Sequence, residues 1–203
     1  RPGPTRAPPV GLVDPKVKVV VLDTEVYSNT GGQCSKATQR GAVANFSVAG
    51  YTKQKKDLGA IAMTYGNIYV ANTCLLADPQ QALKALVEAE EYDGPALIIN
   101  YSPCINHGVK KGLGSTPKHC KDLVKSGYIV LYRYDPRRAA EGKVAFQLDS
   151  KEPNYDIAPL VKSENRFASL VDLYPNEAKV KHPQLIADLK HRYNYYASLA
   201  KKN

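Results

Sequence analysis

Val17-Lys18-Val19-Val20-Val21-Leu22-Asp23 runs directly into Thr24-Glu25-Val26-Tyr27-Ser28-Asn29-Thr30-Gly31-Gly32-Gln33. The first half is a β-branched run interrupted by one lysine, the pattern of a strand buried in a parallel sheet with both faces covered. The second half is polar and holds two glycines, the pattern of a loop. In open parallel sheets, ligands sit beyond the carboxyl ends of the strands, so function is expected just after Leu22.

Outward from this stretch, helical and strand-like segments alternate. Residues 57–65 (DLGAIAMTY) have helical spacing, with Asp57 and the neighbouring Lys55-Lys56 read as a helix cap. Residues 67–72 (NIYVAN) read as a strand, 79–92 as a helix opened by Pro79, and 95–101 (PALIINY) as a second buried strand. A helix at 117–126, a strand at 128–134, a shorter strand at 144–148 and an outermost amphipathic helix at 183–199 complete the order. This alternation predicts an α/β fold, a mostly parallel sheet with helices on both faces. The string Arg1–Gly11 carries four of the 14 prolines, too many breakers for a helix or central strand, so residues 1–16 are expected to be a linker or tail.

With 203 residues, 43% of them apolar, the chain can bury one core. Its net charge of +9 raises the question of nucleic acid, but the lysines and arginines form short, scattered groups. Solvated faces are the better reading, and no nucleic-acid partner is expected. No apolar run reaches the roughly 20 residues of a membrane span, and no secretion signal opens the chain, which does not begin with Met. A cytoplasmic protein is expected. Cys34, Cys74, Cys104 and Cys120 form no CxxC pair and suit reduced thiols.

The composition of the 23–33 loop suits a metal diphosphate. Magnesium takes six oxygens, shared among carboxylates, other protein oxygens, water and phosphates, and this loop can supply two or three. Gly31 and Gly32 allow close approach of backbone to ligand, and Lys36 is placed to offset phosphate charge. A plain turn between strand and helix has the same composition, so the residues alone leave both readings open.

The strings LDTEVYSNTGGQ, CSKAT, KKDLGAIAMTYG, EAEEYDGPALIINYSPCINHG, KSGYIVLYRYDPR, FQLDSKEP and NRFASL together resemble the thiamine-diphosphate-binding domain of the pyruvate:ferredoxin (or flavodoxin) oxidoreductases, from about Val17 onward. The resemblance implies a pyrophosphate-type thiamine-diphosphate-binding domain at 17–203. It implies that Thr24 and the backbone oxygen of Val26 ligate Mg2+ and that Asn29 is catalytic, touching cofactor and substrate. Glu25, Tyr27 and Ser28 would shape the same cofactor-binding loop. It further implies that Cys104, in the string YSPCINHG, is the fourth ligand of a 4Fe-4S cluster whose other three ligands lie elsewhere. Cys34, Cys74 and Cys120 are read as structural, and His107 as a satisfied or solvated loop side chain.

The implied reaction is oxidative decarboxylation of pyruvate to acetyl-CoA and CO2, with coenzyme A as co-substrate and ferredoxin or flavodoxin as electron acceptor. Two departures stand out. The family's Gly-Asp-Gly motif, whose Asp ligates magnesium about thirty residues before the Asn, has no counterpart here, and the cysteine-rich and coenzyme A segments are absent too. The chain is therefore expected to be an N-terminally truncated fragment, inactive alone, working with the remainder of its own chain as a homodimer. An anaerobic organelle such as a hydrogenosome is the alternative compartment. The competing functions are the same domain from a fusion that reduces NADP, and a noncatalytic assembly module.

Overall fold

A computed structural model describes residues 16–201. Two parallel strands set its frame: β1 (Lys18–Asp23) pairs along its whole length with β5 (Ala96–Tyr101), from Lys18 opposite Ala96 to Asp23 opposite Tyr101. On the other side of β5 lies β4 (Tyr69–Thr73), also parallel. β6 (Tyr132–Tyr134) and β7 (Phe146–Leu148) complete the sheet in the order β1-β5-β4-β6-β7, both antiparallel to their neighbours. The sheet is thus mixed: its parallel half carries the candidate loop. A separate two-residue ladder joins β2 (Val26–Tyr27) to β3 (Gln33–Cys34) around that loop.

Period-two alternation puts successive strand residues on opposite faces. Tyr69, Ala71, Ala96 and Ile98 face α2 (Pro79–Glu91), whose Ala85 and Ala89 pack on them. Small residues on both sides let helix and sheet approach closely. Val70, Leu97 and Ile99 face the opposite side, where they meet Ala62 of α1 (Leu58–Met63) and Tyr196 of α7 (Pro175–Leu199). A second apolar cluster gathers Cys120 and Leu123 of α3 (Thr116–Lys125), Leu160 of α5 (Ala158–Ser163), Phe167 of α6 (Asn165–Leu173) and Leu185 and Leu189 of α7. The short α4 (Arg137–Ala140) lies between β6 and β7.

Four expectations change. β1 is an edge strand of the described sheet, with Val20 51% and Leu22 65% exposed, because α2 covers only β4 and β5. The strand expected at 128–134 is laddered only at 132–134, since residues 128–131 are buried without pairing to β4. The final helix starts at Pro175 and runs through Pro183. A proline there leaves one helical hydrogen bond unmade, and burial of Leu185 and Leu189 on one face holds the helix against the core while its other face stays exposed. Lastly, Asp57 does cap α1, its side chain accepting from Ala60 N at 2.9 Å, but Lys55 belongs to the site described next. The proline-rich segment up to residue 15 lies outside the described residues. Among the described residues no helix is long and apolar enough to cross a membrane.

Candidate functional site

Adjacent parallel strands end at the same edge of a sheet, so the loops that follow β1 and β5 meet. The Ser102 amide donates to the Asp23 carbonyl at 3.0 Å and continues the ladder past the strand ends. Beyond it, the Thr24–Gly32 loop from β1 and the Cys104–Gly108 turn from β5 lie against each other. A Cβ on Gly32 would stand 3.0 Å from the Asn106 side chain, and the Asn106 amide reaches the Ser28 carbonyl at 3.5 Å.

Glu25 shapes the first loop by turning inward. It is non-glycine with φ of 62°, a left-handed conformation that carries a steric cost and persists only when the surroundings hold it. The surroundings are specific. Its buried carboxylate accepts from Tyr128 Oη at 2.6 Å and pairs with Arg166 at 2.7 Å and Lys55 at 3.3 Å. Its carbonyl accepts from Ser35 Oγ at 3.0 Å and Thr38 Oγ1 at 2.5 Å. Burial alone would raise the Glu25 pKa, yet the Lys55 and Arg166 cations overcome burial and bring it down to about 2. Behind it, Arg166 also binds Glu164 at 2.5 Å, and Glu164 binds His119 at 2.6 Å. Lys55 additionally pairs with Asp23 at 2.6 Å, whose other oxygen accepts the Glu25 amide at 3.0 Å.

With the Glu25 and Asp23 carboxylates committed to Lys55, Arg166 and Tyr128, the loop's neutral oxygens include those of Thr24, Val26 and Ser28. Thr24 Oγ1 is 3.1 Å from the Val26 carbonyl oxygen and 3.3 Å from Ser28 Oγ. Two neighbouring ligands of an octahedral magnesium with bonds of about 2.1 Å stand about 3.0 Å apart, so Thr24 and Val26 fit adjacent positions on that ion. The carboxylate that magnesium favours is not free in this loop, and no group of three or more His, Cys, Asp or Glu among the described residues is arranged to hold a metal. The loop by itself therefore offers no more than a partial donor set for such an ion.

Asn29 sits on the 3-10 turn Ser28–Thr30, exposed and free of hydrogen bonds to other described residues. Gly31 and Gly32, with φ of 108° and 85°, end this turn, and the Gly32 amide closes it onto the Tyr27 carbonyl at 2.9 Å. Tyr27 is 57% exposed beside it. Lys36 is exposed too, while Lys55 is the lysine built into the loop.

Cys104 caps the 3-10 turn Ile105–His107, its partly exposed sulfur accepting weakly from the Asn106 amide at 3.5 Å. Cys74 and Cys120 are fully buried, and Cys34 pairs with Val26 across the small ladder. Among the described residues no group of three or more His, Cys, Asp or Glu gathers around Cys104. His107 proves buried, at 1% exposure, and bridges the two loops through the Thr24 carbonyl, 2.8 Å from Nε2. Burial, reinforced by Arg166, lowers its pKa to about 4, so the ring is neutral near pH 7.

Sequence reasoning brought Thr24, Glu25, Val26, Tyr27, Ser28, Asn29 and Cys104 to this site, and the fold gathers them at one sheet edge. It missed Arg166, Tyr128, Glu164 and His119 and assigned Lys55 to a helix cap; the one sequence signal among these is the charge of Arg166 beside the apolar FASL stretch.

Residues 13–99 match the family described as thiamine pyrophosphate enzyme, C-terminal TPP binding domain. The pyruvate:ferredoxin oxidoreductase of Moorella thermoacetica is 50% identical over 184 residues, which are 91% of this chain and 16% of that protein. The pyruvate-flavodoxin oxidoreductase of Klebsiella pneumoniae is 46% identical over the same shares of each chain. A mitochondrial pyruvate dehydrogenase [NADP(+)] of Euglena gracilis is 44% identical over 89% of this chain and 10% of its own. The chain spans 16% of the length of the first two of these relatives. Over residues 13–99 the chain thus carries the C-terminal TPP-binding domain of the thiamine pyrophosphate enzymes, and over 91% of its length it is similar to the corresponding segment of pyruvate:ferredoxin and pyruvate-flavodoxin oxidoreductases.

Proposed function

We propose that the chain forms part of a 2-oxoacid oxidoreductase that converts pyruvate, coenzyme A and an oxidised acceptor, ferredoxin or flavodoxin, into acetyl-CoA, CO2 and reduced acceptor. In this reading it works in the cytoplasm with the remainder of a longer polypeptide, as a homodimer. The observation that carries the reading is the meeting of the Thr24–Asn29 loop with the Cys104 turn beyond adjacent strands β1 and β5. One loop addresses a diphosphate cofactor and the other an electron carrier, which is the juxtaposition that decarboxylation coupled to electron removal requires.

When bound, thiamine diphosphate supplies the carbon nucleophile and electron sink for loss of CO2 from a 2-oxo acid. Thr24 Oγ1 and the Val26 carbonyl, 3.1 Å apart, would hold the magnesium that binds the cofactor's diphosphate. Asn29, exposed and uncommitted, presents its amide to cofactor and substrate. Cys104 would hold one iron of a 4Fe-4S cluster, which would carry the electrons away. Glu25, locked to Arg166, keeps the loop backbone in the left-handed turn that holds the Thr24 hydroxyl beside the Val26 carbonyl.

The test is a chimera in which residues 17–203 replace the matching segment of the Moorella thermoacetica enzyme. Pyruvate- and coenzyme A-dependent reduction of ferredoxin is expected, and Asn29→Ala is expected to lower it by about 100-fold, the scale of losing an oriented polar contact in a transition state. A folded chimera that binds thiamine diphosphate and turns over no pyruvate would overturn the reading.

A further inference from the structure

The His107 ring touches both loops of the site. Nε2 lies 2.8 Å from the Thr24 carbonyl, and a carbonyl only accepts, so Nε2 carries the proton. Nδ1 of the neutral ring is then an acceptor, and two donors face it: the Cys104 amide at 3.4 Å and the Tyr101 hydroxyl at 3.3 Å. The hydrogen-bond partners thus fix both the tautomer and the ring orientation. Tyr101 also stacks on the ring, with centroids 6.0 Å apart, and packs edge-on against Tyr128, which holds Glu25. The other side-chain bond between the loops, from Asn106 to Ser28, is long at 3.5 Å.

We propose that His107 is a positioning residue that sets the separation between the Thr24–Asn29 loop and Cys104. One buried ring grips the carbonyl that follows the Thr24 side chain and the amide of the cysteine itself, so neither loop shifts without the other. The identity of the two ends, cofactor and cluster, rests on the function proposed above; the tie itself does not. Its value is geometric, since a displacement of about 1 Å in an assembled site costs on the order of 100-fold in rate.

The experiment has two arms. In the isotope-labelled 203-residue chain, nitrogen-15 NMR is expected to find His107 neutral and protonated at Nε2. Its His107→Leu variant is expected to raise amide exchange at Cys104 and across 24–32 by about tenfold relative to β4, and His107→Gln, which keeps an amide donor and acceptor, to restore most of the protection. In the chimera, His107→Leu is expected to slow ferredoxin reduction about tenfold or more with the pyruvate KM within about twofold, again recovered by His107→Gln. Protonation at Nδ1, or unchanged exchange at Cys104 in His107→Leu, would overturn the proposal. Should His107→Leu not fold, His107→Gln decides, because the tie requires it to keep the Cys104 amide protected. An inactive chimera with His107 intact and the NMR arm as expected would remove the proposed function and leave the tie.

Discussion

Arg166 and Glu25 stand 141 positions apart in the chain and 2.7 Å apart in the fold, each with 2% of its side chain exposed. This contact fastens the start of α6 to the loop that follows β1. It also accounts for the left-handed turn at Glu25, because the inward carboxylate has three cationic or hydroxyl partners waiting: Arg166, Lys55 and Tyr128.

Arg166→Met should therefore destabilise the protein more than Glu25→Gln does. Removing the guanidinium leaves the buried Glu25 and Glu164 carboxylates without their shared cation, and breaking such a pair costs roughly 3–5 kcal/mol. Glu25→Gln keeps shape and one acceptor oxygen while Arg166 retains Glu164, so its cost should be roughly 1–3 kcal/mol. Urea unfolding of the two variants in one buffer checks the order. A loss below about 1 kcal/mol for Arg166→Met would show that the network does not hold the loop.

The same contact predicts acid lability. Glu25 falls from 4.5 when unfolded to about 2 when folded, so the native state favours the carboxylate. Its contribution is complete above about pH 4.5 and is lost as pH falls toward 2. A 2.5-unit difference corresponds to roughly 3 kcal/mol. Glu164, which burial would raise but Arg166 and His119 lower, adds to the loss in the same direction. Unfolding free energies measured from pH 6 to pH 2 should decline steeply below 4.5, and Glu25→Gln should flatten that decline.

The parallel strands, the loop after β1 and the start of α2 were legible because local pattern determines them: β-branched runs, a glycine pair, a proline; the turn at Cys104 was singled out only through the family resemblance. The edge position of β1 was not, because a VKVVVL run looks alike whether its second face is covered by a helix or left open. Nor was the anchor of Glu25. Nothing within ten residues of it names Arg166 as its partner, and a charged residue in NRFASL reads as a solvated helix face until the fold buries it. His107 was likewise read as a loop side chain, since its distant partner, the Thr24 carbonyl, reaches it only once β1 and β5 lie side by side.

Gly59→Ala tests how tightly α1 seats on the sheet. In an exposed helix the change would stabilise by about 1 kcal/mol through backbone entropy. Here a Cβ would stand 1.9 Å from the Tyr132 hydroxyl, which is held by the neighbouring Tyr196 hydroxyl at 3.3 Å. Overpacking of a core costs roughly 1–3 kcal/mol and should outweigh the helix gain. Thermal unfolding is expected at a lower midpoint; a raised midpoint would mean that Tyr132 yields freely.

Cys104→Ala should separate ligation from folding. The Cys104 sulfur is partly exposed and accepts only the long bonds from Asn106, so the isolated chain should lose less than about 1 kcal/mol. In the chimera the same change should lower iron content and the visible absorption of its clusters. Unchanged iron with unchanged electron transfer would remove Cys104 from the ligand set.

Thr24→Val removes the hydroxyl while keeping the side-chain shape, and two readouts distinguish what that hydroxyl does. Without magnesium its role is to donate to the Val26 carbonyl at 3.1 Å and meet Ser28 Oγ at 3.3 Å, bonds worth about 1 kcal/mol in a half-buried loop. With magnesium its role is to occupy one of six octahedral positions, and loss of a ligand should weaken the ion by on the order of tenfold or more. The unfolding free energy of the isolated chain should therefore fall only slightly, while the magnesium concentration for half-maximal activity of the chimera should rise strongly. Thr24→Ser, which keeps the oxygen, should leave the magnesium requirement near its starting value. If Thr24→Val instead lowered stability by several kcal/mol with no change in magnesium requirement, the hydroxyl would be a loop brace, and the 3.1 Å spacing to Val26 would mark a hydrogen bond alone.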